Sequence, residues 1–246
     1  MSTVKRVVGR ELLERFDAVL FDGDGVLWLG GKPISAAIGF VRNLVNKGCK
    51  KVFIITNNST KTLSEHAAKC KNLGYDMIDP EHIISPAKVV SYLLAKNKSD
   101  LPVYLIGSAG LQAINYIQQP GVQFIATNED ATFPGPNPNV RIPGAGTNVM
   151  AVKFAAGKAP LVIGKPARPI FDYIREKYGV NPAKTLMIGD RCDTDIKFGR
   201  DHGMCTMLVG TGISSMDDVR QYEKQKQFDL VPDYFSDSFA DLLDDC

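Results

Sequence analysis

The sequence predicts an α/β fold: a doubly wound, Rossmann-like parallel sheet interrupted by a smaller inserted α/β domain. Three observations predict it. Short apolar runs recur, each ended by Gly, Asp or Asn. Segments of helical hydrophobic period follow them, the alternation that builds parallel sheets. The alternation changes texture between residues 86 and 160 and then resumes.

Asp17 to Phe21 (DAVLF) is a short apolar run ending in DGDG, suited to a buried parallel strand. The next segment places Ile34, Ile38, Val41, Leu44 and Val45 on one helical face, with Gly48 as its stop. Val52 to Ile55 is a second buried strand, ending in Thr56-Asn57-Asn58-Ser59. Thr62 and Glu65 have capping-box spacing, and the helix behind them turns Leu63, Ala67, Cys70 and Leu73 inward before Gly74. Near the C-terminus, Leu161 to Ile163 is a strand ending in Gly164-Lys165-Pro166. A helix over Pro169 to Tyr178 turns Ile170, Phe171 and Ile174 inward. Thr185 to Ile188 and Thr206 to Val209 are further strands, and Ser238 to Leu243 is a short helix.

The middle stretch holds a helix (Val89, Val90, Leu93, Leu94), a strand (Val103 to Ile106), a helix (Leu111 to Ile117) and a strand (Phe124 to Ala126). A Pro-rich loop follows at Phe133 to Asn139. The expected organisation is therefore core over 1–85, insertion over 86–160 and core again over 161–246.

Composition narrows the function. The chain has 246 residues, 44% hydrophobic and 23% charged, with net charge +2. That profile fits a globular protein and lacks the basic face of a nucleic-acid binder. No window holds about 18 uninterrupted apolar residues, so no membrane span is expected. Met1 to Phe16 carries Lys5, Arg6, Glu11 and Glu14 rather than an apolar signal core, which predicts a cytoplasmic protein. Cys49, Cys70, Cys192, Cys205 and Cys246 include no C-x-x-C pair, so reduced thiols are expected. His66, His82 and His202 are the only histidines, and all fall in helix or turn contexts, so no Ser-His-Asp set can be assembled.

Ligands of open α/β sheets bind outside the carboxyl ends of the strands. The inventory there is Asp22 and Asp24, Thr56 and Asn57, Lys165, and Asp190 to Asp195. Any one aspartate could cap a turn. Four converging on one small space repel one another, by about 4 kcal/mol per pair at 4 Å and an effective dielectric of 20. Such a cluster calls for a cation or raised pKa values. Oxygen ligands without histidine or thiolate favour Mg²⁺ over zinc. A carboxylate can attack phosphorus, and a second one two residues on can protonate a leaving oxygen. Thr56, Asn57 and Lys165 supply a hydroxyl, an N–H and a positive charge for phosphate, the requirements of phosphoryl transfer.

Asp22-Gly-Asp-Gly-Val, Thr56-Asn-Asn-Ser, Gly164-Lys-Pro and Gly189-Asp-Arg-Cys-Asp-Thr-Asp195 resemble, in order, the four signature motifs of the haloacid dehalogenase superfamily. DGDGVLW, ITNNSTKT, VYLIGSAGL, FIATNEDAT and GKPARPIF resemble its branch of 4-nitrophenylphosphatases, phosphoglycolate (glycerol-3-phosphate) phosphatases and pyridoxal phosphatases. The resemblance implies a Mg²⁺-dependent phosphatase of small phosphorylated metabolites. Asp22 is then the nucleophile and Asp24 the general acid and base. Thr56, Asn57 and Asn58 bind phosphate, and Lys165 neutralises charge between phosphate and Asp22. Asp22, the backbone carbonyl of Asp24, and Asp190 hold Mg²⁺, with Asp195 as support. Substrate choice and a homodimer interface fall to the inserted cap.

The cap departs from the pattern. VYLIGSAGLQA runs directly into INYIQQPGVQFIATNED, so a strand and its flanking helix halves are expected to be missing around Ala113-Ile114. A shortened cap raises a rival reading: a catalytically impaired binding or regulatory protein. A dinucleotide-binding Rossmann protein is a third; Gly144-Ala-Gly-Thr147 lacks the preceding strand and full glycine spacing, and reads as a cap turn.

Overall fold

The computed structural model describes residues 4–7, 11–46, 50–96, 117–133 and 142–242. The strand expected at Val103 to Ile106, most of the helix expected at Leu111 to Ile117, the Pro-rich loop after Phe133 and the Ala113-Ile114 junction lie outside the described residues.

In chain order the first half contains β1 (Lys5–Arg6), β2 (Ala18–Phe21), a hairpin of β3 (Trp28–Leu29) and β4 (Lys32–Pro33), α1 (Ser35–Asn46), β5 (Lys51–Ile55), α2 (Leu63–Asn72), β6 (Ile83–Ile84) and α3 (Pro86–Lys96). Next come β7 (Ile125–Ala126), β8 (Thr132–Phe133), β9 (Ile142–Pro143), α4 (Ala145–Ala156), β10 (Leu161–Val162) and α5 (Arg168–Tyr178). β11 (Thr185–Gly189), α6 (Lys197–Asp201), β12 (Cys205–Val209), α7 (Met216–Lys224), β13 (Tyr234–Ser236) and a 3₁₀ turn over Phe239–Leu242 complete the described chain.

Seven strands form one sheet in the order β1-β13-β12-β11-β2-β5-β6. All its pairings are parallel. From β2 the chain winds outward through β5 and β6, then returns to β11 on the other side and winds outward through β12 and β13. The direction reverses between β2 and β11. That is the place where an open α/β sheet leaves a crevice at its carboxyl edge, and Asp22 and Asp190 immediately follow these strands.

Alternation along the central strands splits the core into two layers. Val19, Phe21, Val52, Ile54, Leu186 and Ile188 face the layer under α1 and α2. Ala18, Leu20, Phe53, Ile55 and Met187 face the layer containing Val89 of α3, Ile170, Phe171 and Ile174 of α5, and Phe198 of α6. Burial on both faces explains why these strands read as unbroken apolar runs. A ring cluster anchors β2, the strand that Asp22 follows: Phe40 of α1 packs edge-on to Phe21 at 6.2 Å, and both meet Phe239 of the C-terminal turn at 5.1 and 6.2 Å. Thr62 and Glu65 form the expected capping box, opening α2 where the chain leaves Asn58.

Ile117, Phe124, Ala126, Val149 and Val152 form a smaller separate cluster, where β7 pairs with β10. Among the described elements without a clear sequence signal are α4, α7 and β13. In α4 apolar residues run all round the helix, exposing Met150 and Phe154, so no periodic face stands out. Gly144 is the N-cap of this helix, and Ala145 to Thr147 form its first turn rather than an isolated cap turn. In α7 only Val219 is buried, although Ser215 and Asp218 make a capping box. β13 is short and sits between Pro232 and the final turn. Among the described residues, no helix is long and apolar enough to cross a membrane.

Removing the ring at the centre of the aromatic cluster opens a cavity beneath β2. Phe40→Ala is expected to cost about 3–5 kcal/mol. Urea unfolding should show a lowered midpoint at unchanged slope, and a loss under about 1 kcal/mol would contradict this packing.

Candidate active site

The site is built on four strand ends. The Asp22 N–H donates to the Ile188 carbonyl at 3.0 Å, continuing the β2–β11 ladder one step past the strand. The chain then turns tightly, with Leu27 N–H donating to Gly23 O at 2.9 Å and Gly25 N–H to Trp28 O at 2.8 Å. Gly25 has φ +96°, and a Cβ there would lie 2.4 Å from Asp190 Oδ2, so backbone conformation and close approach both demand glycine.

Lys165 is the hub. Its side chain is 2% exposed, and its Nζ donates to Asp22 Oδ1 at 2.6 Å and Asp195 Oδ1 at 2.7 Å. Asp195 lies in a single π-helical turn, Cys192–Ile196, and its Oδ2 accepts the N–H groups of Asp190 and Arg191, each at 3.2 Å. Both Asp195 oxygens are therefore engaged within the protein. Asp22 keeps 15% of its side chain exposed, so the carboxylate opens to solvent while its partner lysine does not.

Asp190 is buried. Its Oδ2 accepts the Ile213 N–H at 2.8 Å, and its Oδ1 has no hydrogen-bond partner. One ligand atom from each of Asp22, Asp190 and Asp195 lies within 4.8 Å of the others. A buried, unpartnered carboxylate oxygen in such a cluster is costly unless something positive faces it. The donors fit a hard divalent cation. Burial holds the Asp190 carboxyl well above the usual range, with Asp195 and Asp22 adding to it. Burial also pushes Asp22 up, to about 7, against the lowering pull of Lys165. At Lys165 burial works against the charge, but Asp195 and Asp22 outweigh it and raise the ammonium pKa.

The second-motif loop reaches the hub through Asn57. Asn57 Oδ1 accepts the Lys165 N–H at 2.8 Å, and its Nδ2 donates to the Lys165 carbonyl at 3.0 Å. Gly164 permits this approach, since a Cβ there would lie 2.4 Å from Asn57 Oδ1. Thr56 is buried and its Oγ1 accepts the Asn58 N–H at 3.1 Å. Asn58 spends its side-chain oxygen on Thr60, at 3.0 Å to the N–H and 2.7 Å to the hydroxyl.

Asp24 points elsewhere. Its Oδ1 accepts the indole N–H of Trp28 at 2.8 Å and lies 3.3 Å from Lys69 Nζ. Lys69 in turn sits 4.4 Å over the Trp28 ring. Sequence reasoning quoted Trp28 but gave neither it nor Lys69 a role. Lys69 adjoins Cys70 and lies three positions after His66, both buried, so the helical face was the available signal. Asn128 and Asp130 follow β7, within FIATNEDAT, but the sequence assigns neither a role at the site.

The three histidines, which the sequence placed in helix or turn contexts, have structural partners. His66 Nε2 lies 3.1 Å from the Asn58 carbonyl, and His82 belongs to the cap of a 3₁₀ turn. His202 stacks on Phe171 and pairs with the Phe198 carbonyl. Cys192 is buried and its thiol is pushed up to about 12, which leaves it protonated and inert.

Comparison with known proteins converges on one family. The model for haloacid dehalogenase-like hydrolases matches residues 19–125, and a second model of the same kind matches residues 162–242. Mouse chronophin is 33% identical over 290 aligned positions, covering 99% of both chains. Because this chain has 246 residues, at least 44 of those positions fall opposite gaps in it. Chicken glycerol-3-phosphate phosphatase is 30% identical, covering 95% of this chain and 93% of that one. A putative NipSnap protein of Caenorhabditis elegans is 34% identical over 92% of this chain, which spans only 53% of that protein's length. Among solved structures, the 4-nitrophenylphosphatase of Thermotoga maritima superposes with a TM-score of 0.80 at 22% identity, covering 94% of this chain and 98% of that one. The Mycobacterium tuberculosis glycerol phosphate phosphatase, solved with magnesium, gives 0.79 at 24% identity, covering 96% and 79%. These two likenesses establish the shared fold.

The raised carboxyls set a pH dependence for the metal-free protein. Asp22 moves from 3.8 to about 7 on folding, so between those values the folded state holds the extra proton. Stability is then full at low pH in this window and falls as pH rises through about 7. Asp190 acts in the same direction. A divalent cation at pH 7.5, at about a hundredfold its dissociation constant, should restore about 2.7 kcal/mol. Thermal midpoints with cation and with chelator should differ for the native chain and much less for Asp190→Asn. Equal midpoints in the native chain would argue against a cation here.

Proposed function

Because the chain belongs to the haloacid dehalogenase-like hydrolases, we propose that it is a Mg²⁺-dependent phosphomonoester hydrolase working through an aspartyl-phosphate. Its substrates are small metabolites of the 2-phosphoglycolate or glycerol 3-phosphate kind, with 4-nitrophenyl phosphate as an artificial substrate. Chronophin and glycerol-3-phosphate phosphatase, among its relatives, support this reading.

One observation carries it: a half-open carboxylate, Asp22, paired at 2.6 Å with a buried lysine beside a buried carboxylate with an orphaned oxygen. A structural ion pair has no need of that third, unsatisfied group. In the proposed reaction an Asp22 oxygen attacks phosphorus while Asp24 gives a proton to the departing oxygen. Asp24 then takes a proton from the water that cleaves the aspartyl-phosphate, releasing inorganic phosphate and restoring Asp22. Lys165 holds Asp22 in place and balances charge as phosphate oxygens arrive. The hydroxyl of Thr56 and the N–H of Asn57 supply donors for those oxygens, and the Asn58 N–H joins them once it leaves Thr56 Oγ1. Asp24 must leave Trp28 and Lys69 to reach the leaving group. Asp22, Asp190 and the Asp24 backbone carbonyl would hold Mg²⁺, which would keep the carboxylates ionised and offset phosphate charge.

A second reading has its own observation. The alignment leaves this chain at least 44 positions short of chronophin, and a cap shortened by such a length would leave a core that binds phosphorylated ligands with little turnover, the break being expected near Ala113-Ile114 from the sequence.

Hydrolysis of 4-nitrophenyl phosphate separates the two. Mg²⁺-dependent turnover is expected, with Asp22→Asn lowering kcat by about 10³-fold or more. A folded protein without turnover supports the second reading instead. Lys165→Ala should cost kcat about a hundredfold or more while the protein stays folded. If its loss of activity merely tracks unfolding, the lysine is structural.

A further inference from the structure

The loop that follows β7 is tied to the hub. Asn57 Nδ2 donates to both oxygens of Asp130, each at 3.2 Å. Asn128 Nδ2 donates to the Asn57 carbonyl at 2.8 Å, and the Gly164 N–H donates to the Thr127 carbonyl at 2.8 Å. The loop fixes itself too, since Asn128 Oδ1 accepts the Asp130 N–H at 3.0 Å and the Asp130 carbonyl accepts the Gly146 N–H of α4 at 2.9 Å. Residues from three separated segments thus close on one amide. The Asn57 side chain has one acceptor and one NH₂ group, and all are engaged: the oxygen by Lys165 N–H, the nitrogen by Lys165 O and Asp130.

From this we infer that Asp130 is a positioning residue for the reaction: by clamping the Asn57 carboxamide it fixes the backbone of Lys165, and so the ammonium that holds Asp22. The inference rests on the phosphatase reading and adds to it a residue outside the four motifs. The chain of contacts is short. Asp130 holds Asn57, Asn57 holds both backbone groups of Lys165, and Lys165 reaches Asp22 at 2.6 Å. Asp130 touches neither Asp22 nor Lys165 Nζ in this arrangement, so it acts through Asn57. An untied Asn57 amide turns freely, and small misplacements of reacting groups are costly in rate.

The test compares Asp130→Ala, which removes the acceptor, with Asp130→Asn, which keeps one. Assays with 4-nitrophenyl phosphate and Mg²⁺ run well below each variant's melting temperature. Asp130→Ala should lower kcat about tenfold or more with KM within about threefold, and Asp130→Asn should restore most of kcat. An Ala variant within about twofold of native kcat overturns the inference, as does an Asn variant as slow as the Ala variant. A residue that only stabilised the fold would move the melting temperature and leave this kcat pattern unchanged.

Amide exchange supplies a readout that needs no turnover. In Asp130→Ala, the peptide containing Gly164 and Lys165 should exchange about fivefold faster or more, while the peptide of β11 keeps its native rate. Unchanged exchange at Gly164 and Lys165 overturns the clamp even if the protein proves inactive. Inactive native protein with the exchange difference present would instead count against the phosphatase reading alone.

Discussion

A single buried ammonium, Lys165, bridges two aspartates, and the site is arranged around that charge. Carboxylates as close as Asp22, Asp190 and Asp195, within 4.8 Å, repel by roughly 3 kcal/mol per pair at an effective dielectric of 20. Lys165 offsets part of this, and backbone N–H groups from Asp190 and Arg191 satisfy Asp195. The oxygens left without a full set of partners are Asp190 Oδ1 and the exposed side of Asp22. That is where a divalent cation and an anionic phosphate would find their roles. The fold tolerates the strain because these groups stand at the ends of well-packed strands. The central strands are buried on both faces, and the Phe21, Phe40 and Phe239 rings brace β2 from below.

Around the hub, side chains that resemble ligands are partly occupied in holding the backbone. Asn57 uses its whole carboxamide on Lys165 and Asp130, leaving its N–H as the group available for phosphate. Asn58 closes a local turn on Thr60. Asp24 rests against Trp28 and Lys69, outside the cluster formed by the other three aspartates. Asp24 and Asp22 thus sit in different surroundings: one paired with Lys69 of α2, the other with the buried Lys165.

The strand ends made most of the site legible in advance. Asp22, Thr56 and Asp190 each follow an apolar run that becomes a strand of the parallel sheet, which brings them to one edge, while Lys165 follows β10, which pairs with β7 outside that sheet. The capping box at Thr62 and the inward faces of α1 and α5 were equally readable, because local spacing sets them. Lys69, Asn128 and Asp130 were not. Their partners lie far away in sequence, so neither residue type nor local spacing assigns them to the site. α4 shows no one-sided apolar stripe, and the stripe of α7 is only Met216, Val219 and Tyr222 in a short, otherwise polar helix, so neither stands out in the sequence.

The sequence by itself determined the doubly wound class, the order of the four motifs and the identity of the charged groups at the sheet edge. These follow from local hydrophobic period and from residue type. Tertiary structure alone decided which groups meet. It set Lys165 between Asp22 and Asp195, left one Asp190 oxygen unpaired, turned Asp24 toward Trp28, and brought Asp130 onto Asn57. Those contacts depend on strand order and on the path of intervening loops, which no local spacing encodes. The energetics of a buried charge depend in turn on which neighbours those paths deliver.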